Sequence, residues 1–165
     1  HAIKKGLHEF YKPKPAPKMT FICVQKRHHT RFFPLEQSQG KNENVMPGTC
    51  VDSDIVHPTQ YQFYLASHGA IKGTVRPAKY CVLKDEIAMS VDDLQAITHA
   101  MCHAFVRCTR AVSYPAPTYY SHLLAKRAEA YLDMSEHKDV EDLIAINQKL
   151  RVSAQFAANN PMFFT

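Results

Sequence analysis

The stretch "GTCVDSDIVHP" (48–58) closes a short β-branched run with an acid, Asp52, and places Asp54 two residues on. A carboxylate at a strand end, beside a loop, is positioned to hold a hard cation through oxygen. The plainer role for the same residue is a turn-forming Asp. A second group of chemical interest, His122, lies inside the helical pattern of "PAPTYYSHLLAKRAEAYL" (115–132). At about 3.6 residues per turn, Tyr119, His122 and Lys126 share a face and Arg127 points about 140° away from His122. His122 and Arg127 therefore serve different sites, or are simply solvated.

Cationic residues recur in separate places. "VQKRHHTRFF" (24–33) carries Lys26, Arg27, His28, His29 and Arg31 between apolar residues; Lys72 and Arg76, Arg107 and Arg110, and Lys126 and Arg127 follow. Aromatic and apolar residues lie between these groups. On one surface they would form a phosphate-binding trough. Taken singly, each is an ordinary solvated charged patch. The formal charge of +5 points modestly to a polyanionic partner, and the ten histidines add charge below neutral pH.

The elements that must position these residues read as strands first and helices last. Ile3, Leu7 and Phe10 have helical spacing over residues 1–11, in the manner of the tail of a helix. "KPKPAPK" (12–18) ends it, because closely spaced prolines favour extended chain. Strands are predicted at "MTFICVQ" (19–25), "TCVD" (49–52), "YQFYLASH" (61–68) and "KYCVLKD" (79–85), with "RFF" starting a hairpin partner of the first. Residues 34–48 read as a polar surface loop. Ser90 and Asp93 have capping-box spacing, and Leu94, Ile97, Met101, Ala104, Phe105 and Cys108 then form a helical stripe. A second helix starts near Pro117 and runs to about Leu132; residues 139–150 have helical spacing, and the apolar "NNPMFFT" reads as docked. Strands followed by helices predict a sheet with helices packed on it, an α/β or α+β arrangement that looks incomplete.

Length and composition restrict the class. The 165 residues suit one domain, and 45 % apolar with 21 % charged residues is globular composition. No apolar run approaches the roughly 20 residues of a membrane span, and "HAIKKGLHEF" has no signal-peptide core. A chain opening on His1 is expected to be a fragment or a processed product. The five cysteines are scattered without a CxxC pair, so reduced, mostly buried thiols are expected rather than a zinc site or a disulfide framework.

Four stretches carry a resemblance. "VQKRHHTRFF", "GTCVDSDIVHPTQYQFYLASHGAIKGTVRP", "CHAFVRCTRAVSYPAPTYYSHLLAKRA" and the short apolar C-terminus resemble, in order and spacing, the Piwi domain of eukaryotic Argonaute proteins. The likeness covers about residues 1–132 and the last few; residues 133–160 match only in character. It implies an α/β, RNase H-like Piwi fold, with residues 1–165 as its C-terminal part and the first part of Piwi and the upstream domains outside the chain. It also implies small-RNA-guided silencing in the cytoplasm, with the nucleus left open.

The resemblance implies roles residue by residue. The family's catalytic set is Asp, Glu, Asp, His; its third and fourth members match Asp52 and His122, as ligands of two Mg²⁺ or Mn²⁺ ions that assist phosphodiester hydrolysis. The first Asp, in a "DVTHP"-like strand, and the Glu are not among these residues, so the fragment alone lacks half the set. Guide-RNA contacts match Lys26, Arg27, Arg31, Ser67, His68, Arg76, Arg107, Ser113 and Tyr119, and Arg127 matches an Arg of the guide 5′-phosphate pocket. Phe105 stands where several relatives have a Tyr, so that hydroxyl contact is lost. A weaker match puts Leu7 and Tyr11 in a pocket for tryptophan-containing silencing partners. The expected partners are a 5′-phosphorylated small guide RNA and a complementary target RNA, with no membrane. Retained Asp52 and His122 permit a slicer, an RNA-guided endoribonuclease; a non-cleaving guide binder that recruits silencing partners is the alternative.

Overall fold

The computed structural model describes residues 1–35, 44–129, 152–160 and 162. Its elements are α1 (Ala2–Tyr11), β1 (Thr20–Gln25), β2 (Thr49–Val51), β3 (Gln62–Ala66), β4 (Ala78–Asp85), α2 (Val91–Cys102), α3 (Ala116–Glu129) and α4 (Ala154–Asn159). The four strands form one antiparallel sheet in the order β1-β4-β3-β2.

Register decides what each face of the sheet buries. Phe63 opposes Tyr80, Leu65 opposes Ala78, and Val24 and Ile22 oppose Tyr80 and Val82, so these residues share a face. Phe63, Leu65, Ala78 and Tyr80 are fully buried there with Tyr114. The Phe63 and Tyr80 rings stack at 4.8 Å. Burying one such ring contributes about 1.5–3 kcal/mol. The β-branched and aromatic strands are thus held by aromatic pairing in the sheet's centre, not by their lengths.

The opposite face centres on Tyr64, and here the sequence expectation needs correction. "RFF" is not a strand; β1 takes β4 as its partner instead. The segment after β1 crosses the second face. His28 and Phe32 meet the Tyr64 ring edge-on at 5.4 and 5.7 Å, and His28 Nε2 lies 2.7 Å from the Pro77 carbonyl oxygen. Packing on an aromatic ring wins over edge pairing.

The capping box is present: Ser90 Oγ accepts from Asp93 N and donates to its carboxylate. The helix, however, stops at Cys102 and not near Cys108. His103 N and Ala104 N reach back only to Ala100 and Met101, and Cys102 O is taken by Val112 N at 2.9 Å. A tightened last turn and a returning loop end the helix without a Gly or Pro. The buried residues of α2 are Leu94, Thr98 and Cys102, while Ile97 is exposed. α3 begins at Ala116 with Pro117 in its first turn, as expected, and is described as far as Glu129. Residues 139–150 lie outside the described residues. Met162 is 42 % exposed, so the part of the C-terminus that is described is not buried.

Candidate nucleic-acid interface

Strand register gathers several of the candidate residues at one end of the sheet. β1 ends at Gln25 opposite Lys79, β4 begins at Ala78 opposite Leu65, and β3 ends at Ala66 opposite Thr49. Lys26 and Arg27, Arg76, and Ser67 and His68 directly follow or precede these ends.

Tyr114 ties them to the helices. Its ring is buried and accepts Lys26 Nζ over its face at 4.4 Å. It stacks on Tyr119 at 4.8 Å and lies 6.4 Å from the His122 ring. Ser67 Oγ donates to Val112 O at 2.6 Å, which brings the β3 end against the segment leading to Ser113 and Tyr114. Burial pushes the His68 imidazole below its ordinary value, and the Lys26 charge adds to that. Lys26, Tyr119 and His122 therefore surround one aromatic residue, with Ser67 joined to the same segment through Val112 and His68 near Lys26. Neither Lys26 nor His122 is buried. Charge, hydroxyl and ring faces at one place suit a phosphate backbone and its sugars better than a small apolar ligand.

The "KRHHTR" segment is anchored, not loose. His28 and Phe32 pin it, while Lys26, Arg27 and His29 stay exposed. Arg31 is half-buried, and its Nη1 donates to the carbonyls of Thr30 (2.7 Å) and His28 (3.0 Å). That fork shapes the backbone from which its neighbours project. Arg76 and Arg107 are exposed, Ser113 is half-buried, and Arg127 is exposed in the last turn of α3.

Asp52 directly follows β2, the edge strand opposite β1, three residues past the Thr49–Ala66 pair. Gln95 Nε2 of α2 donates to Asp52 Oδ2 at 2.8 Å. Tyr61 Oη donates to Val91 O at 3.1 Å and closes the same corner. Burial, with the Asp52 carboxylate second, raises the Cys50 thiol to about 11, so Cys50 is inert there. Asp54 next door has φ +56°, a turn conformation that Asp tolerates. Asp52 and His122 are both exposed. Among the described residues no group of three or more His, Cys, Asp or Glu side chains could hold a metal ion.

Two residues of this surface have no local signal. Gln95 meets Asp52 across 43 positions, and Tyr114 takes its partners from the residue after β1 and from α3. An aromatic before a proline in "SYPAP" hints only at extended chain. On α1, Leu7 is half-buried and Tyr11 is exposed; the helix is tied down by the Lys4–Glu86 ion pair and buries no residue fully.

A family model described as the Piwi domain matches residues 1–133. The C-terminal lobe of a budding yeast Argonaute is 37 % identical, with a TM-score of 0.71 over 77 % of this chain and 28 % of that one. Kluyveromyces polysporus Argonaute with a guide RNA is 37 % identical, with a TM-score of 0.70 over 77 % of this chain and 17 % of that one. Drosophila Piwi is 33 % identical, with a TM-score of 0.67 over 76 % of this chain and 17 % of that one. The chain belongs to the Piwi domain family, and its α/β architecture is the Piwi fold. It spans less than a third of the length of each of these relatives.

Proposed function

We propose that this chain is part of an Argonaute-type silencing protein that holds a small guide RNA along the surface built around Tyr114. The observation that carries the reading is the meeting of Lys26 and Tyr119 on the Tyr114 ring, with Ser67 held to Val112 and His68 beside Lys26, in a chain 37 % identical to an Argonaute solved with a guide RNA. Lys26, Arg27, Arg76 and Arg107 supply charge to phosphates, and Ser67 and Ser113 add hydroxyls. Arg31 shapes the segment. No base-reading side chain is required, because complementary pairing selects the target. Arg127 would reach the 5′-phosphate. In this reading residues 1–165 are the C-terminal part of a longer Piwi domain, acting in the cytoplasm, and α1 with Leu7 and Tyr11 would contribute to the docking of tryptophan-containing partners.

The intact protein would cut the paired target RNA. Asp52 and His122 are the donors this chain would offer to Mg²⁺ or Mn²⁺: an oxygen suited to a hard cation and a neutral imidazole. Both are exposed, which fits ligands completed by an Asp and a Glu from the rest of the protein. Bound divalent ions would activate the attacking water and stabilise the leaving oxygen. Gln95 holds the Asp52 carboxylate in one orientation before an ion enters.

Guided cleavage tests this. The intact protein is loaded with a 5′-phosphorylated guide and given labelled complementary RNA with Mg²⁺. Cleavage lost in Asp52→Ala with guide affinity retained is the expected outcome. Guide binding without cleavage in the wild type would instead establish the non-cleaving reading. Failure to bind guide at all would overturn both.

A further inference from the structure

α2 carries His99 in its last turn and ends at the C-cap His103, four residues on in "THAMCH" (98–103). Their Nε2 atoms lie 3.4 Å apart, with ring centroids at 5.0 Å. Two imidazole nitrogens on a tetrahedral zinc, each at about 2.0–2.1 Å, are separated by about 3.3–3.4 Å. The observed pair has that spacing without a change of rotamer. Residues four apart on a helix share a face, which is why the pattern recurs at helical metal sites.

The surroundings favour a built arrangement over two stray side chains. The His99 ring is half-buried over Gly48, where a Cβ would stand 3.1 Å from Cε1. Gly48 has φ +93°, so this position both needs glycine for its backbone and leaves room for the imidazole. The Ser67 carbonyl oxygen lies 3.4 Å from the same His99 Nε2 and is a candidate third donor. His103 is exposed, which gives an ion a path from solvent.

We propose that His99 and His103 form a bidentate site for a divalent transition ion of the zinc class, completed by water and the Ser67 carbonyl. Nitrogen donors select zinc, nickel or copper over magnesium. Such an ion would clamp the last turn of α2 to the β3 end that carries Ser67 and His68.

The test is zinc titration of the intact protein by calorimetry at pH 7.5, with His103→Gln and, as a surface control, His8→Gln. With all three proteins carrying Asp52→Ala, which disables the carboxylate centre, one zinc is expected to bind the parent and the His8→Gln variant equally, with affinity at least about tenfold lower in the His103→Gln variant. Affinity should fall on acidification, because a protonated imidazole cannot ligate the ion. Copper loaded at one equivalent should show two imidazole nitrogens by electron paramagnetic resonance, and one in His103→Gln. No zinc binding by the parent, or equal affinity in all three proteins, overturns the proposal. Urea melts without metal confirm that His103→Gln is folded.

Discussion

Replacing Tyr114 with Leu separates the packing role of this residue from its role as an aromatic platform. Leu keeps most of the apolar volume against Phe63, Leu65, Ala78 and Tyr80, so the cavity cost is small. What is lost is the stack on Tyr119, at 4.8 Å and 17° between planes, and the Lys26 ammonium over the ring at 4.4 Å. An aromatic pair is worth about 0.5–1.5 kcal/mol beyond its area. A cation over a ring at an exposed site adds about 0.5–1 kcal/mol. Tyr114→Leu should therefore destabilise by about 1–2.5 kcal/mol in urea unfolding. A double-mutant cycle with Lys26→Met should return a coupling of about 0.5–1 kcal/mol. RNA binding divides the two side chains further. Lys26→Met should lower affinity for every guide sequence and reduce the salt slope by about 0.7, the value of one phosphate contact on a single strand. Tyr114→Leu should lower affinity with the slope unchanged, since no charge is removed. A coupling of zero together with an unchanged slope in Lys26→Met would refute the reasoning, because Tyr114 would then be core packing alone.

Other perturbations probe the surroundings. His68 is depressed in the folded state by burial and by Lys26; the unfolded chain then binds more protons as pH falls below about 6.5, so stability should drop from that pH downward. His68→Asn should flatten this part of a pH–stability curve, and an identical slope in the variant would count against it. Asp85 is held below the usual carboxylate range first by the Thr20 hydroxyl and then by backbone N–H donors. Its contribution should be intact above about pH 4 and lost below, and Asp85→Asn should remove that acid-side slope in the same curve. Gly48→Ala should cost about 1–2 kcal/mol in urea from the left-handed backbone alone; a neutral result would mean that the 48–49 turn relaxes. Arg127→Ala should weaken 5′-phosphorylated guides by about 10–100-fold, the value of one charge-assisted contact, and 5′-hydroxyl guides much less. Equal losses measured by filter binding would place Arg127 elsewhere.

Much of this architecture is legible in the sequence where physics is local. All four described strands coincide with apolar, β-branched or aromatic runs, and the Ser90 cap lies at its expected position. The misreadings come from non-local competition. "RFF" has strand composition, yet Phe32 packs on Tyr64 from another strand. The α2 stripe continues past Cys102 on periodicity, but the Cys102 carbonyl is claimed by Val112, ten residues on. The candidate surface divides in the same way. Individual cations and the Asp52 position can be read from motifs. Their meeting point, Tyr114, cannot, because it depends on a strand order in which β1 and β4 are neighbours.

The same strand order separates two kinds of work. Lys26 and Asp52 follow opposite edge strands of the sheet, and β4 and β3 stand between those strands. Asp52 is oriented by Gln95 from α2, while Lys26 is oriented by Tyr114 from the approach to α3. The two supports come from different elements, so a change at one should leave the other in place. Gln95→Leu removes the donor that fixes the Asp52 carboxylate without touching a cation. It should slow cleavage by the intact protein and leave guide affinity and its salt slope at wild-type values. If Gln95→Leu instead weakened guide binding as strongly as Lys26→Met, the carboxylate corner and the basic end would be one coupled site, and the division drawn from the sheet would fail.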